Sequence, residues 1–322
     1  MKNFSASLQR SQKTELQSSP ILITGSAGYL GQKIVEKLCK QKREIIALYR
    51  NRVPDARTNL FPICADLAAK ELLVAPIRGV HAVIHLAWEG TIINSDLEKT
   101  RNIKNLKNLI QVMEHAGTKR IIFVSAIGAN RDAEQSFLKE KYECEHLILN
   151  SKIKEKVILR SAVLFDGIKG GSFIQSINKL MKSSIFYPVP KISSKISPLF
   201  VDDLIEVLVK CCDLEMFDTC SVIDLAGGES YKISQLLKII SKNSTGKKSQ
   251  IAISPVIGEF MVKFIEKANA EDQPKIKDYF SIGSRIESKI RHKNPMAKFL
   301  PEKFKTFEEV MSSFALTEGI HP

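Results

Sequence analysis

The 322-residue chain has no uninterrupted apolar run long enough to cross a bilayer, so no membrane span is expected. Its most apolar late segment, VIGEFMVKFIEKA (256–268), is broken by Glu259, Lys263 and Glu266. That segment reads as an amphipathic helix presenting Ile257, Phe260, Met261, Phe264 and Ile265. No Cys-x-x-Cys pair occurs, and Cys39, Cys64, Cys144, Cys211, Cys212 and Cys220 have no histidine companions at metal-ligand spacing. Zinc-ribbon and dithiol-redox readings fall away, leaving reduced thiols of a cytoplasmic protein and no expected metal site. Acidic residues are in deficit, 35 against 48 basic ones, for a formal charge of +13. The lysines are spread over helix faces with no block of interleaved aromatics, so nucleic acid is not the expected partner. Internal repeats and low-complexity linkers are also missing, which excludes solenoids and propellers.

What remains is an ordinary globular composition, 44% hydrophobic and 26% charged, with enough length for a large core. The first 19 residues are polar and lack the apolar stretch of a secretory signal, so they read as a flexible tail; their Ser-rich, acid-poor character leaves an organellar transit peptide open. From Pro20, short apolar runs alternate with helical periodicity. ILIT (21–24), EIIALY (44–49), HAVIHLA (81–87), RIIFVSA (120–126) and KVILRSA (156–162) predict strands. GQKIVEKLCK (31–40), the stretch SDLEKTRNIKNLKNLIQVMEHAG and SFLKEKYECEHLILN predict helices between them. This is the pattern of an α/β doubly wound parallel sheet, the Rossmann fold, over 20–165. Beyond it the rhythm changes. A Gly-rich turn, DGIKGG, precedes a predicted helix SFIQSINKLMKS, an extended Pro-containing stretch, and the strand and helix LFVDDLIEVLVKCC. Residues 166–322 read as a smaller substrate-side lobe interleaved with the end of the sheet, including the strands VIDLAGG and IAIS.

ITGSAGYLGQKIV sets Gly25, Gly28 and Gly31 three residues apart between a strand and a helix. In such a loop the first glycine permits the tight turn, the second admits a pyrophosphate to the backbone, and the third lets helix and sheet pack. The helix N-terminus then favours negative charge. At the end of the second strand, ALYRN carries Arg50, with Arg52 close by, where an acidic residue would accept hydrogen bonds from a ribose diol. A guanidinium there can clamp a 2′-phosphate, so NADP(H) is expected ahead of NAD(H).

These segments, in this order, resemble the extended short-chain dehydrogenase/reductases, the NAD-dependent epimerase/dehydratase family. TGSAGYLG is similar to its Thr-Gly-x-x-Gly-x-x-Gly, CADL (64–67) to the pair approaching adenine, and VIHLAW (83–88) to the loop against the ribose and pyrophosphate. Asn102 stands like the family's helix-four Asn, VILRSAVLFDG resembles the segment lining the nicotinamide, and PLFVDDLIEVL its Val-Asp-Asp segment. The resemblance implies cofactor contacts from Gly25, Ala27, Gly28, Tyr29, Leu30, Gly31, Arg50, Asp66, Leu67, Leu86, Ala87, Lys141, Ala162 and Val163. It implies an oxidoreductase or epimerase/dehydratase-like protein acting on a small carbonyl or nucleotide-linked substrate. A homodimer is compatible with the sequence.

The family's proton relay is a Tyr-x-x-x-Lys pair with a nearby hydroxyl. Here FLKEK supplies Lys141, but Phe137 stands where the tyrosine would be. Tyr142 lies five residues further on, roughly 140° around a helix. Ser125 in FVSAIGAN is the candidate hydroxyl. These departures resemble the family's atypical branch, which includes a nucleotide-binding accessory subunit of respiratory complex I. They set beside the enzyme reading a second one, a non-catalytic assembly or regulatory protein. Three other residues stand out. His85 is expected as a packed, hydrogen-bonded histidine and the Asp202–Asp203 pair as a helix cap, while Trp88 is assigned either to the cleft wall or to the core.

Overall fold

A computed structural model describes residues 19–89, 96–133, 135–167, 186–190, 195–213, 220–244, 249–253, 301 and 303–317. The expected tail up to residue 18 and the helices expected at 172–183 and 256–268 lie outside them. The described elements in the first half of the chain are β1 (Ile21–Thr24), α1 (Tyr29–Lys40), β2 (Ile45–Tyr49), β3 (Leu60–Cys64), α2 (Val74–Ile77), β4 (Ala82–His85), α3 (Asp96–Ala116), β5 (Arg120–Ala126), α4 (Ser136–Leu149) and β6 (Glu155–Ser161). They are followed by β7 (Leu164–Phe165), β8 (Phe186–Pro190), β9 (Lys195–Ile196), β10 (Leu199–Phe200), α5 (Val201–Asp213), β11 (Cys220–Leu225), β12 (Tyr231–Lys232), α6 (Ile233–Ser244), β13 (Ser249–Ile253) and α7 (Phe307–Thr317).

Seven strands form one sheet in the order β3-β2-β1-β4-β5-β6-β11. The pairings β1 with β2, β1 with β4, β2 with β3 and β4 with β5 are parallel. β1 and β4 are buried at every residue, which is why they appear in the sequence as unbroken apolar runs and not as alternating ones. α1 buries Gly31, Ile34, Val35 and Leu38. From β1 the chain winds one way to β2 and β3, and later the other way through β4 and β5. The crevice at the carboxyl ends of β1 and β4 is therefore the topological switch point, where folds of this kind receive ligands.

β3 is absent from the sequence expectation, and the reason is physical. Pro62 sits in its middle, opposite Ala47 of β2, and lacks the N–H a central strand needs. β3 is an edge strand, where that donor is dispensable. Nor does the sequence show how the C-terminus of α5 is held. Arg120, fully buried, donates through Nη1 to the carbonyls of Cys211 (2.7 Å) and Cys212 (2.8 Å), and through Nε to Glu155 (2.6 Å). A cation at a helix C-terminus meets the negative end of the dipole. Arg43 pairs with Asp213 at the same end.

The described residues fall into two units. One runs to Arg160 and takes in Ile205–Ile223; the other holds Ser161–Leu204 and the described residues from Asp224 onward. The second unit has its own aromatic core, in which Phe165 meets Phe307 (centroids 4.8 Å apart) and Phe200 (5.6 Å), and Tyr231 meets Phe307. Asp202 and Asp203 occupy the first turn of α5, where their charge favours the helix dipole, and Asp203 also accepts the backbone N–H of Lys305 at 2.8 Å.

Candidate functional site

The loop from β1 to α1 is shaped by its glycines. Gly25 has φ +71°, and a Cβ there would lie 2.6 Å from the Ala87 nitrogen. A Cβ on Gly31 would lie 2.1 Å from the Gly25 oxygen, so only hydrogen permits α1 to pack this closely on the loop. Gly28 differs: its φ is −71°, and a Cβ would make a 3.2 Å contact, tight but free of backbone strain. Gly28 is also the N-cap of α1, which has no side-chain cap and no acidic residue in its first turn. The helix thus presents unshielded N–H groups and the positive end of its dipole.

Thr24, fully buried at the end of β1, ties this loop to the one after β4. Its Oγ1 accepts from the N–H groups of Leu86 and Ala87, both at 3.2 Å, so its own proton goes to His85 Nδ1 at 2.8 Å. His85 is therefore a neutral acceptor on that nitrogen. Burial, reinforced by the nearby Lys141 charge, pulls its pKa down to about 3. It also stacks on Phe123.

Between these loops lies a cleft of about 220 Å³. Its lining takes in Gly25, Ala27, Gly28, Arg50, Asp66, Leu67, Leu86 and Ala87 of the expected contacts, together with Trp88, Glu89, Asn102 and Asn105. Asn102 fixes the loop after β4 by exchanging two hydrogen bonds with the Glu89 backbone, at 2.8 and 2.9 Å. Asn108 holds the loop after β3 through the carbonyls of Leu67 (3.0 Å) and Ala68 (3.3 Å), while Asp66 caps that loop at the Ala68 N–H. The side-chain oxygen of Asn105, buried in the cleft lining, has no hydrogen-bond partner among the described residues. The uncapped helix end, the space above Gly28 and this orphaned acceptor fit a dinucleotide: pyrophosphate at the first two, an adenine amino group at the third. A larger groove of about 530 Å³, lined in part by Ile46, Phe61, Ile63 and Leu72, contains none of the glycine-loop residues.

The remaining expected contacts are not among the residues that line this cleft. Tyr29 is exposed on the first turn of α1 beside Leu30, and neither is part of the cleft lining. Ala162 and Val163 belong to the second unit, where their backbone pairs with Leu225 and Leu199. Lys141 is buried and donates to the Val124 carbonyl at 3.0 Å. Its Nζ lies 3.6 Å from the Trp88 ring centroid, 4.8 Å from Phe123 and 5.6 Å from Phe137, within cation–π range of all three. Burial pushes its pKa down to about 7, against the opposing pull of Cys144, Glu140 and Glu145. Trp88 packs against the core, as one of its two expected roles had it, and its ring, over the lysine, also lines the glycine-loop cleft. Phe137 meets Trp88 edge-on at 5.7 Å, whereas Tyr142 packs on His146 at 4.5 Å. Ser125 donates to buried Glu145 at 2.5 Å, and Arg160 grips the same carboxylate with two bonds, at 2.9 and 2.5 Å. No local pattern singled out Glu89 or Asn105, and although Arg160 lies in the VILRSAVLFDG segment, nothing in the sequence signalled its pairing with Glu145.

The family described as NAD(P)H-binding matches residues 25–185. UDP-glucose 4-epimerase of Vibrio cholerae is 24% identical over 220 residues, covering 60% of this chain and 66% of its own length. Subunit 9 of the NADH dehydrogenase (ubiquinone) 1 alpha subcomplex, mitochondrial, of Arabidopsis thaliana is 22% identical over 228 residues, covering 68% and 56% respectively. This chain therefore spans less than two thirds of the length of either curated relative. Among solved structures, a nucleoside-diphosphate-sugar epimerase from Staphylococcus aureus superposes with a TM-score of 0.70 at 18% identity, covering 91% of this chain and 99% of the other. At that identity the likeness is one of fold.

Proposed function

The chain belongs to the NAD(P)H-binding family, and from that premise we propose that it is of the extended short-chain dehydrogenase/reductase or epimerase/dehydratase group and binds a nicotinamide dinucleotide, NADP(H) ahead of NAD(H), as an oxidoreductase or epimerase-like protein for a small carbonyl or nucleotide-linked substrate. The observation that carries this reading is the cleft at the β1–β4 switch point, with an uncapped helix N-terminus behind Gly28. The backbone of Gly25–Gly31 would hold the pyrophosphate, Asn105 and the Asp66–Leu67 loop the adenine, and Arg50 with Arg101 the adenine ribose and its phosphate. When bound, such a cofactor supplies a hydride. Calorimetric titration of the protein with NADPH and NADH tests the proposal: micromolar binding of at least one is expected, and no binding of either at about millimolar concentration refutes it.

A second reading, favoured by the surroundings of Lys141, is a cofactor-holding assembly or regulatory protein without turnover. Phe137 offers no exchangeable proton, Ser125 donates to Glu145, and Lys141 donates to Val124 beneath Trp88. General acid–base groups contribute about 10²–10⁴ in rate, so a relay without a phenol should turn over slowly. The similarity to a named subunit of NADH dehydrogenase accords with this second reading.

A further inference from the structure

Sequence alone leaves Arg50 as an open clamp at the end of β2. The structure gives it a partner 39 residues away. Arg50 Nη1 lies 2.5 Å from Glu89 Oε1, and the other Glu89 oxygen, Oε2, is 3.2 Å from Arg101 Nη1. Arg101 in turn reaches Asp66 at 3.6 Å. Two cations and two anions therefore form one chain of ion pairs, with Arg50, Glu89 and Asp66 in the cleft lining and Arg101 joining them, and among these four residues the charges balance. Resting on the dinucleotide reading above, we infer that Glu89 is the specificity-determining residue of the cleft: its carboxylate occupies the arginine pair that a 2′-phosphate would need.

Three features make Glu89 a fixed competitor and not a passing surface contact. Its backbone is locked in both directions by Asn102, so the carboxylate cannot leave with its loop while that pair holds. Its side chain is less exposed, at 22%, than Arg50 at 51% or Arg101 at 46%. It also bridges the two guanidiniums with separate oxygens, a geometry a phosphate would reproduce. A 2′-phosphate entering here must displace Glu89 and leave two like charges adjacent. A ribose diol, by contrast, can donate to the same carboxylate without disturbing either arginine. Glu89 thus restrains, without reversing, the NADP(H) preference that Arg50 and Arg101 set.

The test is calorimetry on the intact protein and its Glu89→Gln variant with NADPH, NADH, adenosine 2′,5′-bisphosphate and AMP, with thermal melts to establish that the variant folds. Removing the charge should raise the NADPH-to-NADH affinity ratio by about tenfold or more and tighten adenosine 2′,5′-bisphosphate equally, while AMP changes by less than about threefold. The gain should shrink as salt rises. Glu89→Asp keeps the charge and the backbone bonds to Asn102 but draws the carboxylate back from the arginines, so it should shift the ratio the same way by less; it serves if the glutamine variant is unstable. Dinucleotide binding with an unchanged ratio, or a shift toward NADH, in a folded variant overturns the role of Glu89 alone. Failure of either dinucleotide to bind either protein overturns the cofactor reading and this inference with it.

Discussion

The two ends of the site are built on opposite principles. At the glycine loop, polar groups point outward and stay uncommitted: α1 begins without a side-chain cap, and the Asn105 oxygen has no partner among the described residues. Around Lys141 every group of the expected relay is already engaged inside the protein, the lysine with Val124 and three aromatic rings, Ser125 with Glu145. Uncommitted buried groups cost stability and persist where a ligand satisfies them; satisfied ones need no ligand. One end is thus shaped for binding, and the other is closed on itself.

The sharpest way to break this contrast lies within the glycine loop. Gly28→Val should lower dinucleotide affinity by more than about 100-fold while lowering the melting temperature less than Gly31→Ala does, because Gly28 lines the cleft, its φ is unstrained, and the one close contact of an added Cβ is the Gly25 oxygen at 3.2 Å. Gly31→Ala should do the reverse first, destabilising the fold by about 1–3 kcal/mol or more, because its methyl would collide with the Gly25 carbonyl. Melting curves and calorimetry on both variants separate the two roles. A Gly28→Val protein that still binds would show that the space above the loop is not a cofactor site.

These two glycines were legible from their spacing alone, and so were β1, β4, β5 and the helices between them, because buried parallel strands leave continuous apolar runs. Edge and polar features were less visible. β3 was hidden by Pro62, since a proline argues against a strand until its place at the sheet edge is known. Thr24 reads as one position of a motif, yet it joins two loops through three hydrogen bonds to residues about sixty positions away. Glu89 and Glu145 matter only through arginines brought near by the fold, and no local pattern encodes that proximity.

A smaller effect tests the closed end through pH. Burial holds Lys141 at about 7, below its ordinary 10.5, so between those values the unfolded chain keeps a proton that the folded chain releases. Stability contributed through this group should rise with pH across that window and be flat below it, where both states are protonated. Lys141→Met keeps the packing volume and removes the titration. The unfolding free energy of the natural protein minus that of the variant should climb by a few kcal/mol between about pH 7 and pH 10 in denaturant titrations. Trp88 is the sole tryptophan and lies over the ammonium, so its emission should change with a midpoint near pH 7 in the natural protein and lose that midpoint in the variant. Parallel stability profiles would mean that Lys141 stays charged under the ring throughout.

The smallest effect concerns Phe137, whose ring is half-buried and meets Trp88 edge-on. Phe137→Tyr adds one hydroxyl beside the lysine, and two outcomes have different signatures. If the hydroxyl stays in the aromatic surroundings without a partner, it costs about 1–3 kcal/mol and the melting temperature falls with no gain in turnover. If it reaches the ligand side of Trp88, stability changes by less than about 1 kcal/mol, and turnover of a carbonyl panel with NADPH rises, because a phenol near Lys141 can then exchange the proton that phenylalanine cannot. The observed packing favours the first outcome: Trp88 lines the glycine-loop cleft while Phe137 does not, and the Phe137 ring packs edge-on against that indole. Trp88→Ala combined with Phe137→Tyr removes that indole and should recover turnover if the closed end is closed by the indole alone. Turnover that stays at the level of the natural protein in the double variant would instead place the block in the committed Ser125–Glu145–Arg160 set.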